Sequence, residues 1–443
     1  MATERRRRGH RRRDKPNRAP KPPRRAVPAA TTSVDDVPDH LLEDILLLLG
    51  PSSACLFRAA YSCKRWRRVV TGAGFLSSFR ERHGVRHHVA GHYHTVDTYY
   101  GPSALPGGKI SVFVPSSSLA GVDSRWFSLD FLPESDDDSS WELADSRSGL
   151  LLLSKKKRTR TNHAGERRFF TDLIVCEPLT RRYQGILCPA DLSEYQCLGV
   201  FLLDGDGIGS GGGVSMSNFK VLCALYDRCR WHNLHLGAPL ACVFSSGSDG
   251  GGWRLPKSAV ADDIQLPGRF NAMSFVGRAN GCLYWGIEDD EDGAMLVLEE
   301  NTMEFSLLTF PESIRESYHK RTFRIIAGDD GATRVLRVIG NDLKVFMELA
   351  DNASEWVLEK LVRLPEATRG LPGHEERYFQ QNEAMVVAAS AAYVLLTPSV
   401  EKTCLFSIEL ETMRVERHLE RNKYPGVAYA YELPLLRAAD TSY

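Results

Sequence analysis

Apolar positions follow a helical spacing between residues 34 and 84 and a strand-like spacing thereafter. Leu41, Ile45 and Leu49 fall on an i, i+4, i+8 line with Leu42 and Leu46 beside it, which makes one wide apolar helix face. Asp35 or Asp36 can cap this helix, Pro38 suits its first turn, and Asp39, Glu43 and Asp44 favour its N-terminal half. Gly50-Pro51 stops it, and Ser52 or Ser53 can cap a second helix carrying Leu56, Ala59, Ala60 and Cys63. A third short helix holds Trp66, Val69 and Val70 and is expected to end at Gly72 and Gly74. Three short helices enclose a small core. The surplus Leu and Ile on the first helix therefore read as a face for a partner, or as packing against the rest of the chain.

From residue 85 onward, apolar runs shorten to a few residues separated by Gly, Asn, Asp, Ser and Pro, which predicts many short antiparallel strands. An internal repeat is visible. Ile174-Val175-Cys176, Leu296-Val297-Leu298 and Phe406-Ser407-Ile408 are each followed by Glu-x-x-Thr, at Glu177/Thr180, Glu299/Thr302 and Glu409/Thr412. Weaker copies centre on Phe113, Phe244 and Phe346, leading to Trp126, Trp253 and Trp356. A unit of about sixty residues repeated some six times predicts a β-propeller-like domain of about six blades, because radial stacking covers both faces of each small sheet. An open pair of β-sandwiches is the alternative.

Charge divides the chain in the same places. Lys and Arg number 56 and so do Asp and Glu, yet residues 1–33 hold twelve Lys/Arg against Glu4 and Asp14. That Pro-rich arm is expected to be disordered. It reads as a nuclear-import signal, a phosphate-gripping patch or a solvated tail. The remaining body is net acidic, which excludes a uniformly basic nucleic-acid-binding surface. The run from Lys155 to Arg160 reads as an exposed hairpin loop. No apolar run approaches the ~18–20 residues of a membrane span. The ten cysteines contain no C-x-x-C, which suits reduced thiols in a nuclear or cytoplasmic protein.

Val37-Pro38-Asp39-His40-Leu41-Leu42-Glu43-Asp44-Ile45-Leu46, followed by Arg58-Ala59-Ala60-Tyr61-Ser62-Cys63-Lys64-Arg65-Trp66-Arg67-Arg68-Val69, resembles an F-box. The resemblance implies a three-helix module, residues 34–84, that docks a Skp-type adaptor and through it a cullin. By position, Pro38, Leu41, Leu42, Ile45 and Leu46 would lie at or just under the adaptor surface, completed by Cys63, Lys64 and Trp66. Val37, Gly50 and Tyr61 depart from the usual pattern. Residues 85–443 resemble the β-rich F-box-associated domains of plant F-box proteins through Val175–Arg182 and Asn280–Trp285. Together these imply a multidomain α plus all-β chain serving as the substrate-recognition subunit of an SCF-type ubiquitin ligase, with an unidentified protein target and no catalysis or cofactor of its own. Action outside the ligase as an interaction or regulatory protein is one alternative, and a propeller hydrolase is another.

The chemical motifs are weak. Gly207–Gly212 matches G-x-G-x-x-G by letter, but a strand-like Phe219–Leu225 follows where a dinucleotide site needs a helix. Asp204-x-Asp206 reaches Ser215 where a calcium loop needs Glu. Cys223, Cys229, His232 and His235 are spaced more tightly than a zinc finger and lack its helix, so they read as a strand thiol and loop histidines rather than a metal site. His87, His88, His92 and His94 read as a linker surface, or as a pH-sensitive contact. Acidic runs at Asp136–Asp138 and Glu288–Asp292 read as solvated loop tips that would favour a basic partner segment.

Overall fold

A computed structural model of the 443-residue chain describes residues 37–49, 53–70, 72–83, 89–95, 111–116, 123–134, 139–157, 169–203, 214–227, 236–247, 251–254, 264, 266–267, 273–288, 294–316, 318–328, 330–349, 355–372, 374–375, 377–379, 384–399, 404–417 and 427–433. The basic arm, the glycine run at 207–213 and the acidic runs at 136–138 and 289–292 lie outside the described residues.

Four helices come first: α1 (Asp39–Leu47), α2 (Ser53–Ser62), α3 (Lys64–Val70) and α4 (Ala73–His83). Pro38 stands at the N-cap of α1, one place before the expected first turn, and offers it no side-chain hydrogen bond. Asp35, Asp36 and residues 50–52 lie outside the described residues. The fourth helix corrects the three-helix reading. Gly74 lies in its first turn and does not terminate α3. The reason is the pair Phe75 and Phe79, four residues apart, which bury against Leu42, Leu46, Leu56, Ala59, Ala60 and Val70. That burial outweighs the ~1 kcal/mol glycine costs a helix. His83 closes the packing: its Nε2 lies 3.0 Å from the Leu47 carbonyl.

The rest is mostly β-sheet with two further short helices, α5 (Glu312–Arg315) and α6 (Leu364–Ala367). The strands are β1 (Val89–His94), β2 (Val112–Pro115), β3 (Ser139–Arg147), β4 (Leu150–Lys157), β5 (Leu173–Glu177), β6 (Arg182–Ile186), β7 (Gln196–Leu203), β8 (Lys220–Asp227), β9 (Leu236–Ser245) and β10 (Gly252–Arg254). A two-residue β11 (Leu266–Pro267) is followed by β12 (Met273–Ala279), β13 (Cys282–Ile287), β14 (Ala294–Glu299) and β15 (Phe305–Thr309). Last come β16 (Phe323–Ala327), β17 (Thr333–Ile339), β18 (Asp342–Glu348), β19 (Trp356–Arg363), β20 (Met385–Ala389), β21 (Tyr393–Thr397), β22 (Phe406–Glu409), β23 (Val415–Arg417) and β24 (Ala428–Glu432).

β24 joins β1 and β2 in a first sheet of order β2-β1-β24, and antiparallel meanders numbered two to six follow as β3–β6, β7–β10, β12–β15, β16–β19 and β20–β23. The fourth and fifth meanders share one eight-stranded sheet through a short parallel pairing, Gly277 opposite Ile325 and Arg278 opposite Ile326. Two tight hairpins follow from local sequence. Ser148-Gly149 and Asn280-Gly281 take positive φ at both positions, the requirement of a two-residue turn that suits strand twist.

Each apolar cluster in this region is shared between two consecutive meanders, or between a meander and the β2-β1-β24 sheet. Leu151 and Leu153 meet Tyr93 and Tyr431, whereas Leu150 and Leu152, on the other face of β4, meet Val200 and Leu202. Leu222 and Trp285 share the next cluster, Val297 and Val335 the next, and Leu343 and Phe406 the one after. A sixth and smallest cluster joins Leu395 of the last meander to Ala428 of β24. Polar contacts cross the same boundaries. Ser148 N donates to Glu432 at 3.4 Å, Leu202 N to Asp145 at 2.7 Å, and Arg278 to the Leu202 carbonyl at 2.9 Å. Asn280 donates to the Gly331 carbonyl at 2.8 Å, Val386 N to Arg321 O at 2.8 Å, and His92 pairs with Tyr393 Oη.

Three expectations are corrected here. Lys155, Lys156 and Lys157 belong to β4 and are not a loop, because their backbone continues the pairing with Ser139–Trp141 of β3. Residues 158–160 lie outside the described residues. His92 and His94 are buried in β1 and form no linker surface, because β1 is paired on both sides and covered on both faces; His87 and His88 lie outside the described residues. Trp126 sits in a 3-10 turn at Ser124–Phe127 and not on a return strand.

Candidate docking site

On α1 the expected face divides in two. Leu42 and Leu46 are 1% exposed and form the core under the helix, while Leu41, Ile45 and Leu48 are 46%, 50% and 68% exposed. Spacing of four and three residues places these last three along one side of α1. Leu49 turns to the core because α1 has ended at Leu47, and Leu48 takes its place on the outer line. Pro38 is exposed at the start of the same helix.

Cys63 and Lys64 are exposed at the start of α3, and Trp66 is half-buried against the core. Cys63 caps that helix. Its carbonyl accepts from Arg67 N at 3.0 Å and its Sγ from Trp66 N at 3.5 Å.

A clamp that sequence spacing did not indicate ties α1 to α3. The Asp39 carboxylate accepts from Arg65 Nε at 2.8 Å and from Arg68 Nη2 at 2.9 Å, and Arg65 also donates to the Val37 carbonyl. The hydrogen bond from Arg65, then that from Arg68, holds the Asp39 carboxyl below its ordinary range. The clamp fixes the first turn of α1, and so the direction in which Pro38 and Leu41 point. The only sequence signal was an acid at the start of one helix and an arginine cluster on another, which does not specify a pair.

In the β-rich region the polar contacts serve packing. Arg278 bonds Glu300 Oε2 at 2.6 Å and lies 4.0 Å from Asp145; burial raises the Asp145 carboxyl despite Arg278 nearby. Cys223 is buried in β8 opposite Cys242, and desolvation drives its thiol well up. Cys229, His232 and His235 lie outside the described residues. Among the described residues no group of three His, Cys, Asp or Glu side chains could hold a metal ion, and no helix is long and apolar enough to cross a membrane.

Residues 34–77 match the F-box domain, so the chain carries an F-box followed by a β-rich C-terminal region. No curated protein matches it. Among solved structures, it is similar to a catalytically inactive virginiamycin B lyase from Staphylococcus aureus with quinupristin, at 11% identity and TM-score 0.30, over 66% of this chain and 87% of that one. It is also similar to the GH93 alpha-L-arabinofuranosidase of Fusarium graminearum with arabinobiose, at 7% identity and TM-score 0.38, over 66% and 84%. A Mycobacterium tuberculosis puromycin-hydrolyzing peptidase is similar at 13% identity and TM-score 0.30, over 66% and 39%.

Proposed function

We propose that this chain is the substrate-recognition subunit of an SCF-type, cullin-RING ubiquitin ligase. The observation that carries the reading is the exposed line Leu41, Ile45 and Leu48 on α1, within residues that match a domain whose members generally bind Skp-type adaptors. Pro38, Leu41, Ile45, Cys63 and Lys64 meet the adaptor, and Leu42, Leu46 and Trp66 hold that surface from beneath. The adaptor in turn bridges to a cullin.

Residues 34–84 are then the docking module and 85–443 the target-binding domain, built as a propeller of six blades. Two features support that architecture: five four-stranded meanders beside the three-stranded β2-β1-β24 sheet, and clusters that join each of these six to the next and the last to the first. The basic arm, residues 1–33, serves nuclear import, so the chain works in the nucleus, the cytoplasm or both. Its contribution to ubiquitin transfer is proximity, a raised local concentration of target lysines, without bond chemistry of its own.

Co-purification with a Skp-type adaptor tests the reading, wild type beside a Leu41→Asp, Ile45→Asp double variant. Both side chains are exposed, so the variant keeps its fold, yet docking would bury two unpaired carboxylates. Binding by wild type and not by the variant is expected. A wild-type chain that binds no adaptor at micromolar concentration overturns the proposal.

A further inference from the structure

β1 turns alternate side chains to opposite faces. Tyr93 joins the cluster shared with the second meander, and His92 and His94, on either side of it, turn the other way. There the His92 ring meets Tyr393 of β21. The ring centroids are 5.5 Å apart, nearly edge to face, and Nε2 is hydrogen-bonded to the phenol oxygen. The His94 ring lies 6.2 Å from that of His92. The two histidines are 8% and 2% exposed. This seam is closed by the smallest apolar cluster of the β-rich region, Val387, Ala388, Leu395, Leu405 and Ala428, with Tyr393 packed against it.

From β24, Ala430 stands opposite His92 and Ala428 opposite His94. Glu432 ends that strand, and its Oε2 accepts from Ser148 N at 3.4 Å. Tyr429 and Tyr431, which alternate with these residues, belong to the cluster on the other face. From β2, Val114 and Val112 are the partners of the two histidines. From the sixth meander, Glu409 stands opposite Tyr393 across β21 and β22, exposed and held by Thr412 Oγ1 at 2.6 Å. Burial, and then Glu432, push the Tyr393 phenol well above its ordinary value. The phenol therefore keeps its proton and donates it to His92 Nε2.

We propose that the His92–Tyr393 contact is a proton-operated latch between the first sheet and the sixth meander, closed by the neutral imidazole and released when His92 takes up a proton. A neutral imidazole offers one N–H and one acceptor, whereas an imidazolium offers two donors. Protonation turns Nε2 from acceptor into donor, sets two protons against each other in one contact, and buries a charge beside a second imidazole. Burial disfavours that charged form, so the stability of the seam is present above the ordinary imidazole value of about 6.5 and is lost as pH falls below it. Control of target capture through this seam rests on residues 85–443 being the target-binding domain; the latch itself does not.

Hydrogen exchange of the full chain tests the latch, read by mass spectrometry at about pH 7.5 and about pH 5.5, on either side of the imidazole range, and scaled for intrinsic exchange. Wild type should lose protection of β1 and of β20–β21 together in acid, by about tenfold, the equivalent of one unit of proton affinity. β13 and β14 should keep theirs. His92→Gln, which still forms hydrogen bonds but cannot charge, should keep its protection in acid. Tyr393→Phe deletes one hydroxyl and decides the matter if His92→Gln fails to fold. Near neutrality it should expose the same two segments about two- to tenfold, the scale of one hydrogen bond. Wild-type protection that is equal at both pH values overturns the proposal. So does an acid loss shared by His92→Gln or spread evenly over all the meanders, and so does a Tyr393→Phe chain that exchanges like wild type near neutrality. None of these segments belongs to α1–α4, so adaptor co-purification succeeds or fails independently.

Discussion

Thr412 Oγ1 donates to the Glu409 carboxylate at 2.6 Å across the turn between β22 and β23. The same contact recurs between Thr302 and Glu299 at 3.0 Å and between Thr180 and Glu177. In each turn the residue after threonine takes positive φ: 56° at Arg181, 62° at Met303 and 59° at Met413. The repeat in the sequence is thus one hairpin used three times. Its threonine fixes a four-residue turn that ends in a left-handed residue. Thr412→Ala should lower stability by about 0.5–1.5 kcal/mol and Met413→Gly should be tolerated or stabilising, both read from urea midpoints. A neutral Thr412→Ala would mean the turn is held by its backbone alone.

The two halves of α1 should respond oppositely to substitution. Leu46→Ala removes a side chain that is 1% exposed and should cost the helical module about 2–5 kcal/mol. Leu41→Ala, on the outer line, should stay within about 0.5 kcal/mol while weakening adaptor binding. Thermal melts beside adaptor titrations separate the two effects.

The Asp39 clamp gives a pH dependence whose sign is fixed. Its folded carboxyl titrates below the ordinary 3.8 because Arg65 and Arg68 hold the charged form. The stability it contributes is therefore present above that ordinary value and is lost as pH falls through the lower folded value. Asp39→Asn should be less stable than wild type near neutrality, and the difference should vanish in strong acid. Trp66 fluorescence, reporting from α3, can follow it.

Asp145 has the opposite sign. Burial raises its folded carboxyl above 3.8 against the pull of Arg278 and the backbone N–H of Leu202. The folded state then binds the proton more tightly, so this group's contribution declines as pH rises from the unfolded value through the raised folded one. Asp145→Asn should flatten that part of the profile, checked by isothermal denaturation between about pH 4 and 7.

A chain ending before Val427 lacks β24 and should lose protection of β1 and of the sixth meander together, because β24 pairs with β1 and borders the smallest cluster. Limited proteolysis with mass mapping would show this. Cleavage confined to the new C-terminus would contradict it.

The sequence made some strands far more legible than others. The six centres near residues 113, 175, 244, 297, 346 and 407 fall on β2, β5, β9, β14, β18 and β22, an edge strand of the three-stranded sheet and then the third strand of each meander. Several of these bury both faces, as Val175 and Cys176 do, so they read as continuous apolar runs. First strands carry Asp145, Arg278 and Arg324 among apolar neighbours, which blurs the pattern. The place of β24 beside β1 was not legible, since that pairing is non-local. On the helical module, periodicity located the apolar face but not which leucines it turns outward. Leu42 and Leu41 differ by one position and face opposite environments. Phe75 and Phe79 carried the i, i+4 signal of α4, which was obscured by reading Gly74 as a stop.

The Thr95 hydroxyl donates to the Val427 carbonyl across 332 residues of chain. At roughly 5–20 residues per second of synthesis, β1 waits on the order of 17–66 s for the strand that completes its pairing. The core of α1–α4 draws on residues up to His83 and is synthesised long before. A nascent or prematurely ended chain would therefore present its leucine line on α1 with an unfinished β-rich region behind it, an open strand edge prone to aggregation.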